Sequence, residues 1–306
     1  MMEKTALMTL PPVSVRGSSV GDYVELLKPR VMSLVVFSGG VGLMAAPGTI
    51  HPLLAATAIL CIAVAAGGSA AVNMWYDRDI DAVMTRTRRR PLPEGRVDPA
   101  AALEFGATLI VAASLLMALA INWLAAGLLA AAAAFYIFVY TIWLKRRTSW
   151  NIVIGGAAGA FPPLIGWVAV TGRIDWPAVI LFTIVFLWTP PHFWALALYR
   201  SDDYRRAGLP MLPVTAGPRR TKIEMLIYTL LLFPVSLAPA FVGIAGPLYL
   251  GGVTVLSGLF VVAALRVLAD DTHRSARQMF GYSIFYLTLL FCLLLVDSGL
   301  RTWGAS

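Results

Sequence analysis

The chain has 306 residues, of which 59% are hydrophobic and only 13% charged, and its mean hydropathy is +0.78. These values exclude an ordinary soluble protein and are typical of a polytopic membrane protein. The formal charge of +8 is explained by the Lys and Arg excess that membrane proteins carry in cytoplasmic loops, so no nucleic-acid partner is expected.

The N-terminal region is polar and precedes the apolar part of the chain. Residues 1–22 are rich in Ser, Pro, Gly and Thr and are predicted to form a flexible tail before one membrane domain over 23–306. Residues 1–30 show neither a cleavable signal peptide nor an Arg-rich transit peptide, which favours a prokaryotic source and its inner membrane. A short amphipathic surface helix is expected from Asp22 to Arg30.

Nine apolar segments of bilayer-spanning length follow, so the predicted fold class is all-α with nine transmembrane helices. The fifth is rich in glycine, which favours close helix packing. Double prolines at 162–163 and 190–191 are expected to interrupt the fifth and sixth segments, and two such breaks in adjacent helices suggest a cavity at the core of the bundle. The predicted spans are 31–46, 53–76, 100–120, 123–144, 151–170, 177–198, 223–243, 246–268 and 280–299.

The distribution of positive charge predicts the orientation. With the N-terminus in the cytoplasm, only Arg173 and Arg301 of the 24 Lys and Arg residues lie outside. Such asymmetry follows the positive-inside rule. The C-terminal tail from Arg301 is then outside, and the long polar loops form a cytoplasmic cap that is expected to carry the function.

The most unusual polar stretch follows the second span. Asn73, Asp77 and Asp81 recur every four residues, so on a single helix they line one face. Charged residues near membrane depth are costly and are candidates for function, although a solvated helix end is the plain alternative. Two carboxylates one turn apart repel each other, and Mg²⁺, which takes oxygen ligands and substrate phosphate, relieves that repulsion.

A second acidic pair, Asp202 and Asp203, follows the sixth span on the same side of the membrane. A solvated loop is the alternative for this pair. Basic residues at inner helix ends could meet a diphosphate, since Arg binds phosphate with two hydrogen bonds and Lys as a point charge. Each alone could equally serve only to set the topology. These candidates are Lys28, Arg30, Arg90, Lys145 and Arg147.

One histidine, His192, is placed inside a span, within the segment Trp188–Trp194. A hydrogen-bonded core residue, a ligand to the metal of a porphyrin and a proton acceptor are all open, because neutral imidazole can serve in each way.

Together these motifs resemble those of the UbiA-type intramembrane prenyltransferases, and the details are closest to the haem-modifying branch of that family. The resemblance covers residues 27 to about 214, while the last third matches only as hydrophobic helices. The matching segments are Leu27–Arg30, Asp77–Asp81, Tyr140–Asn151, Pro162–Trp167, Pro191–Trp194 and Asp203–Pro213.

The resemblance implies a nine-helix bundle around a lateral, lipid-open chamber. It implies transfer of farnesyl from farnesyl diphosphate to a vinyl group of haem B, with magnesium, giving haem O and diphosphate. In that reaction Asn73, Asp77, Asp81 and the Asp202–Asp203 pair would hold the metal, and His192 would contact haem. Many family members space the second aspartate pair by three residues, so the adjacent pair here leaves open which aspartate binds.

Two other functions share parts of this pattern. A prenyltransferase acting on a quinone precursor such as 4-hydroxybenzoate would share Asn73, Asp77 and Asp81, which we call the acidic ladder. A secondary transporter would share the broken helices and buried charges. The transporter reading predicts polar groups near mid-membrane, whereas the charges here lie at inner helix ends. Expected partners are the bilayer and, as recipient of the product, a haem A synthase or a terminal oxidase under assembly.

Overall fold

The structure is a computed structural model that describes residues 17–303, with side chains as far as Arg301. Every regular element among these residues is helical, as predicted. The elements are α1 Val20–Leu26, α2 Pro29–Ala45, α3 Pro52–Tyr76, α4 Arg78–Val83, α5 Pro99–Ala120, α6 Trp123–Ala134, a π-helix Phe135–Leu144, α7 Asn151–Thr171, α8 Trp176–Tyr199, α9 Ser201–Arg206, α10 Leu212–Thr215, α11 Gly217–Phe241, α12 Pro247–Ala269 and α13 Arg274–Trp303.

The spans agree closely with the prediction. Within residues 17–303, eight helices are long and apolar enough to cross a membrane, and α2 provides a ninth when it is taken together with α1, from which it bends by 55°. Exposed tryptophans mark both ends of the bundle: Trp123 and Trp176 are 76% and 79% exposed, and Trp143 and Trp150 are 56% and 55% exposed. Tryptophan is enriched at the two membrane interfaces. The chain is a multi-pass membrane protein.

The start of the helical domain differs from the prediction. Most of the expected tail, residues 1–16, lies outside the described residues, but α1 already begins at Val20, where Ser19 and Asp22 form a capping box. The surface helix expected to reach Arg30 ends at Leu26 instead. Pro29 disfavours helical geometry at Lys28 but is well suited to the first turn of a helix, so a new helix, α2, begins there.

The prediction that prolines interrupt two spans is wrong. Pro162–Pro163 and Pro190–Pro191 lie inside continuous helices, α7 and α8. Small residues on α2 let it approach this part of α7: a Cβ on Gly42 would lie 1.9 Å from the Pro163 carbonyl oxygen, and one on Gly166 would lie 2.0 Å from that of Gly39. The glycines therefore permit close backbone packing, as expected of membrane helices.

The polar loops gather at one end of the bundle. This basic end comprises α1 and the segments 77–98, 145–150, 200–216 and 270–273. Arg96 holds α1 against the rest of this basic end, because it forms an ion pair with Asp22 and a second one, at 3.0 Å, with Glu25. The fold thereby places the start of α2 beside the end of α3, where the candidate site lies.

Candidate active site

A hinge at Asp77 replaces the single helix expected to carry the first acidic ladder. Asp77 has φ −91° and ψ 10°, and it ends α3 and begins α4. Backbone hydrogen bonds still run from the Asp77 amide to Asn73 and from the Asp81 amide to Asp77, at 2.9 and 2.8 Å. The four-residue spacing is therefore kept although the helix is broken, and all three side chains are buried.

Asn73 is the centre of a buried hydrogen-bond network. Its Nδ2 donates to Asp77 Oδ2 at 2.8 Å and to Thr141 Oγ1 at 3.1 Å, while its Oδ1 accepts from Lys28 Nζ at 2.8 Å. These partners come from the α1–α2 junction, α3 and the π-helix. Because every hydrogen-bonding atom of the amide is used, its orientation is fixed.

The π-helix presents the cations that face α3. The Lys145 amide donates to Tyr140 O at 2.9 Å, five residues back, and this wider turn ends beside the acidic ladder. Lys145 Nζ pairs with Asp77 Oδ2. Burial disfavours the charge of Lys145, but Tyr140 and Asp77 outweigh that effect and raise its pKa. Lys145 therefore stays protonated opposite a buried carboxylate.

Lys28 lies among charges of both signs. Its backbone is left-handed, with φ 51°, a conformation that costs a non-glycine residue about 1–2 kcal/mol. Burial first, then the positive charges of Arg90 and Lys145, lower the pKa of Lys28 to about 7. An anion bound between these three cations would favour its protonated form.

Asp81 and Arg90 continue the site away from Asn73. Arg90 Nη1 lies 2.6 Å from Asp81 Oδ2, and the Thr87 hydroxyl donates to the Asp81 carbonyl at 3.0 Å. Thus three of the five predicted diphosphate-binding cations, Lys28, Arg90 and Lys145, surround the ladder.

The structure does not bring the other two cations into this cluster. Arg30 and Arg147 are exposed, and neither forms an ion pair with a described residue of the chain. Arg146, which the sequence did not single out, binds both oxygens of Asp79 at 2.8 and 2.7 Å and lies 3.5 Å from Asp77 Oδ1. A π-helix shifts the register by which neighbouring residues face a site, so sequence spacing could not distinguish Arg146 from Arg147.

The two aspartates of the second acidic pair differ in burial. Asp203 is 6% exposed and accepts a hydrogen bond from Thr85 at 3.0 Å, besides pairing with Arg206. Burial opposes its charge, but the hydrogen bonds from Thr85 and Arg206 outweigh burial and lower its pKa. Asp202, by contrast, has an 80% exposed side chain that pairs with Arg205 at 2.8 Å.

Thr85 links the two acidic regions, because it lies in the loop that follows α4 and contacts α9. Tyr204, the residue after Asp203, provides a second connection between the two acidic regions. Tyr204 is buried, burial raises its pKa, and the charges of Arg86 and Lys145 act on it. Asp203 therefore belongs to the same polar region as the ladder. Thr85, Thr141 and Arg146 were missed because isolated threonines and one arginine among many carry no pattern.

His192 is held at a separate place, between α8 and α13. Its ring stacks on Trp188 and Phe280, with centroids 4.3 and 4.7 Å away, and meets the edge of Phe193 at 5.2 Å. Its Nδ1 lies 2.6 Å from Ser283 Oγ. Among the described residues, the hydrogen bond and the ring contacts of His192 are with Ser283 and this aromatic stack, and none is with a residue of the acidic ladder.

The oxygen atoms of the ladder suit a magnesium ion. Asp77 Oδ1 is buried and accepts no hydrogen bond from the described residues. Those residues do not gather three acidic, histidine or cysteine side chains closely enough to hold an ion alone. Mg²⁺ is commonly bound by one or two carboxylates plus substrate phosphate, so the donor set fits.

The fold and site together define a multi-pass membrane enzyme with a buried acidic and basic site at one end of a helix bundle. The profile described as the UbiA prenyltransferase family matches residues 33–291. The chain belongs to the UbiA prenyltransferase family.

Individual relatives and solved structures agree with this assignment. A protein of Parvibaculum lavamentivorans named protoheme IX farnesyltransferase is 54% identical over 292 residues, which make up 94% of this chain and 92% of the relative. The structure of a digeranylgeranylglyceryl phosphate synthase in membranes has a TM-score of 0.76 at 21% identity, covering 91% of this chain and 98% of that one. A UbiA homologue from Archaeoglobus fulgidus, bound to DMAPP and Mg²⁺, has a TM-score of 0.67 at 17% identity, covering 89% and 99%.

Proposed function

We propose that the chain transfers the farnesyl group of farnesyl diphosphate to a vinyl group of haem B, forming haem O and diphosphate. The proposal rests on the acidic ladder, which is buried at one end of an apolar bundle. Three cations face it there: Lys28, Arg90 and Lys145. The relative named protoheme IX farnesyltransferase, more than half identical over nearly the whole chain, supports haem B as acceptor.

The ladder would hold magnesium through Asn73, Asp77 and Asp81, with Asp203 contributing from α9. When bound, Mg²⁺ supplies positive charge that neutralises the departing diphosphate. The chain's own cations act on the same oxygens: Lys28, Arg90 and Lys145 stabilise the negative charge that develops as the allylic carbon–oxygen bond breaks.

The apolar part of the bundle receives the farnesyl chain. As diphosphate leaves with the bonding electron pair, the vinyl carbon of haem B forms the new bond to the allylic carbon. The positive charge then lies beside the pyrrole ring, where water adds and loses a proton to leave a hydroxyl. Aromatic faces beside the ladder, such as Tyr136 and Tyr140 of the π-helix with ring centroids 5.4 Å apart, suit a cation formed there and help to exclude water.

The acceptor side is assigned to the aromatic stack around His192. Tyr199 lies beside Phe280, with centroids 6.2 Å apart, and carries Arg277 over its ring at 5.5 Å. Arginine pairs well with carboxylates, so the haem propionates would face Arg277 while the porphyrin plane lies against apolar surface. In this arrangement His192 is a candidate ligand to the haem iron.

The enzyme is assigned to the prokaryotic inner membrane, with its N-terminus and the basic end in the cytoplasm and its C-terminus outside. Haem B and the farnesyl chain are both membrane-soluble, so entry from the bilayer through a lateral chamber suits them. The product is expected to pass to a haem A synthase or to a terminal oxidase under assembly.

The test is mass spectrometry of haem extracted from membranes that contain the full chain, farnesyl diphosphate, haem B and Mg²⁺. Haem O is expected with wild-type protein and is expected to be lost with Asp77→Ala, while membrane insertion is unchanged. The same membranes given 4-hydroxybenzoate should form no prenylated product. Prenylation of 4-hydroxybenzoate and not of haem B would show that the chain serves quinone synthesis instead.

A further inference from the structure

One buried hydroxyl on α13 determines which nitrogen of His192 can bind a ligand. Ser283 is fully buried, and its Oγ lies 2.7 Å from the Phe280 carbonyl oxygen and 2.6 Å from His192 Nδ1. Both are hydrogen-bond distances, but a hydroxyl has a single proton to give.

The Phe280 contact decides where that proton goes. If the Ser283 hydroxyl donated to His192, the lone pairs of two oxygen atoms would face each other at 2.7 Å and repel. The hydroxyl therefore donates to the Phe280 carbonyl and accepts from His192 Nδ1–H. In the neutral ring this leaves Nε2 without a proton and with its electron pair free.

The rest of the surroundings fixes the direction of that electron pair. Trp188 and Phe280 cover the two faces of the imidazole, at interplanar angles of 18° and 24°. Trp188 is itself held by a 2.7 Å hydrogen bond from Nε1 to the Ser283 carbonyl oxygen. Among residues 17–303 the ring has no hydrogen-bond partner other than Ser283. A ring fixed on both faces and at Nδ1 presents Nε2 in one direction.

We propose that Ser283 is a positioning residue that holds His192 in the Nδ1–H tautomer, so that Nε2 can bind the iron of the haem B substrate. The iron-binding part rests on the proposed function, whereas the tautomer does not. A hydrogen bond to the far nitrogen is how metal-binding histidines are generally oriented, and its loss typically costs about 10- to 100-fold in metal affinity.

The tautomer can be measured without any substrate. The chain has three histidines, so ¹⁵N-histidine NMR of the full chain in lipid gives few signals, and His192→Ala identifies the relevant pair. We expect the Nδ1–H tautomer in wild-type protein and a mixture of tautomers in Ser283→Ala. An Nε2–H tautomer in wild-type protein, or an unchanged spectrum in Ser283→Ala, overturns the proposal. If Ser283→Ala does not fold, Ser283→Cys, with a weak acceptor of similar size, replaces it.

Haem binding tests the second part. Ferric haem B titrated into the purified chain should show the absorption of an imidazole-ligated iron, and Ser283→Ala should weaken binding by about 10- to 100-fold. Ser257→Ala is the matched control: Ser257 is also buried, but its hydroxyl contacts Tyr286 at 3.1 Å and not His192. Equal binding by Ser283→Ala and wild type overturns the role of Ser283. Wild-type spectra in His192→Ala overturn iron ligation, while continued haem O formation leaves the proposed function standing.

Discussion

Burial distinguishes two aspartates that are adjacent in the chain. Asp203 is enclosed and bonded to Thr85, which belongs to the loop after the first acidic ladder, whereas the side chain of Asp202 is 80% exposed. We therefore propose that Asp203, and not Asp202, acts with the ladder. The sequence predicted the pair but left open which aspartate binds the metal. The two residues are adjacent and chemically identical, and they differ only in the direction in which each side chain leaves the six-residue helix α9.

Paired substitutions test that assignment. Asp203→Asn should lower kcat/KM for farnesyl diphosphate by about 100-fold, in the range found when one electrostatic group of an active site is removed. Asp202→Asn should stay near wild type, since an exposed ion pair contributes little. Initial rates of haem O formation, measured at equal amounts of folded protein, give the comparison. A larger loss for Asp202→Asn would reverse the assignment.

Lys145 and Arg147 form a second matched pair. Lys145 pairs with Asp77, while Arg147 is exposed on the same loop. Lys145→Met should lower kcat/KM for farnesyl diphosphate by about 10- to 100-fold, because a hydrogen bond to a charged group contributes about 1.5–3 kcal/mol. Arg147→Met should leave kcat/KM unchanged. Steady-state rates over a range of farnesyl diphosphate concentrations measure both, and equal effects would show that only the net charge of the loop matters.

The geometry of the π-helix depends on one glycine of α7. A Cβ on Gly155 would lie 2.2 Å from Tyr140 Cδ2. Tyr140 provides the carbonyl that accepts from the Lys145 amide at 2.9 Å. A side chain at position 155 is therefore expected to displace Tyr140 and, through this hydrogen bond, Lys145.

Gly155→Ala is therefore expected to act at the site from a distance. Overpacking of this kind costs about 1–3 kcal/mol, and the displaced Tyr140 should move Lys145 and lower kcat/KM. Gly159→Ala lies one turn later, where an added Cβ meets nothing within 4 Å. That control should keep full activity. Thermal unfolding in detergent and haem O formation measure the two effects, and normal activity in Gly155→Ala would show that the π-helix tolerates the shift.

Asp297 caps a helix across the bundle, at the end away from the site. It is buried, accepts from the Tyr249 amide at 3.1 Å and also from the Gly246 amide, and so holds the first turn of α12 against α13. A negative charge at a helix N-terminus is stabilising. Because the residue lies far along the sequence from α12, no local capping pattern could have predicted it.

Replacement of Asp297 should separate stability from catalysis. Asp297→Ala leaves buried amides unsatisfied and should lower the free energy of unfolding by about 1–3 kcal/mol. Asp297→Asn keeps an oxygen acceptor and should lose less. Unfolding in sodium dodecyl sulfate measures the order, while haem O formation per folded molecule should be unchanged in both. Loss of activity without loss of stability would contradict a purely structural role.

Across the whole molecule, the spans were predictable because the bilayer requires long apolar helices that satisfy their own backbone. The continuity of α7 and α8 through Pro162–Pro163 and Pro190–Pro191 was not predictable, since it depends on whether neighbouring helices accommodate a proline inside a helix. The hinge at Asp77 and the partner of His192 on α13 were also beyond the sequence. Hydropathy gives the position of each helix but not the register in which two helices meet.

The orientation of the bundle is predicted from the distribution of charge alone and can be tested directly. In a background of Cys61→Ala and Cys292→Ala, single cysteines at Arg88 and Arg173 would report on opposite ends, since both side chains are exposed. Arg173→Cys should react with a membrane-impermeant maleimide in spheroplasts, because its loop is expected outside. Arg88→Cys should react only after lysis, because the positive-inside rule predicts that the arginine-rich loop lies in the cytoplasm. The reverse pattern would place the basic end, and the proposed diphosphate site with it, on the outer face and would contradict the predicted orientation.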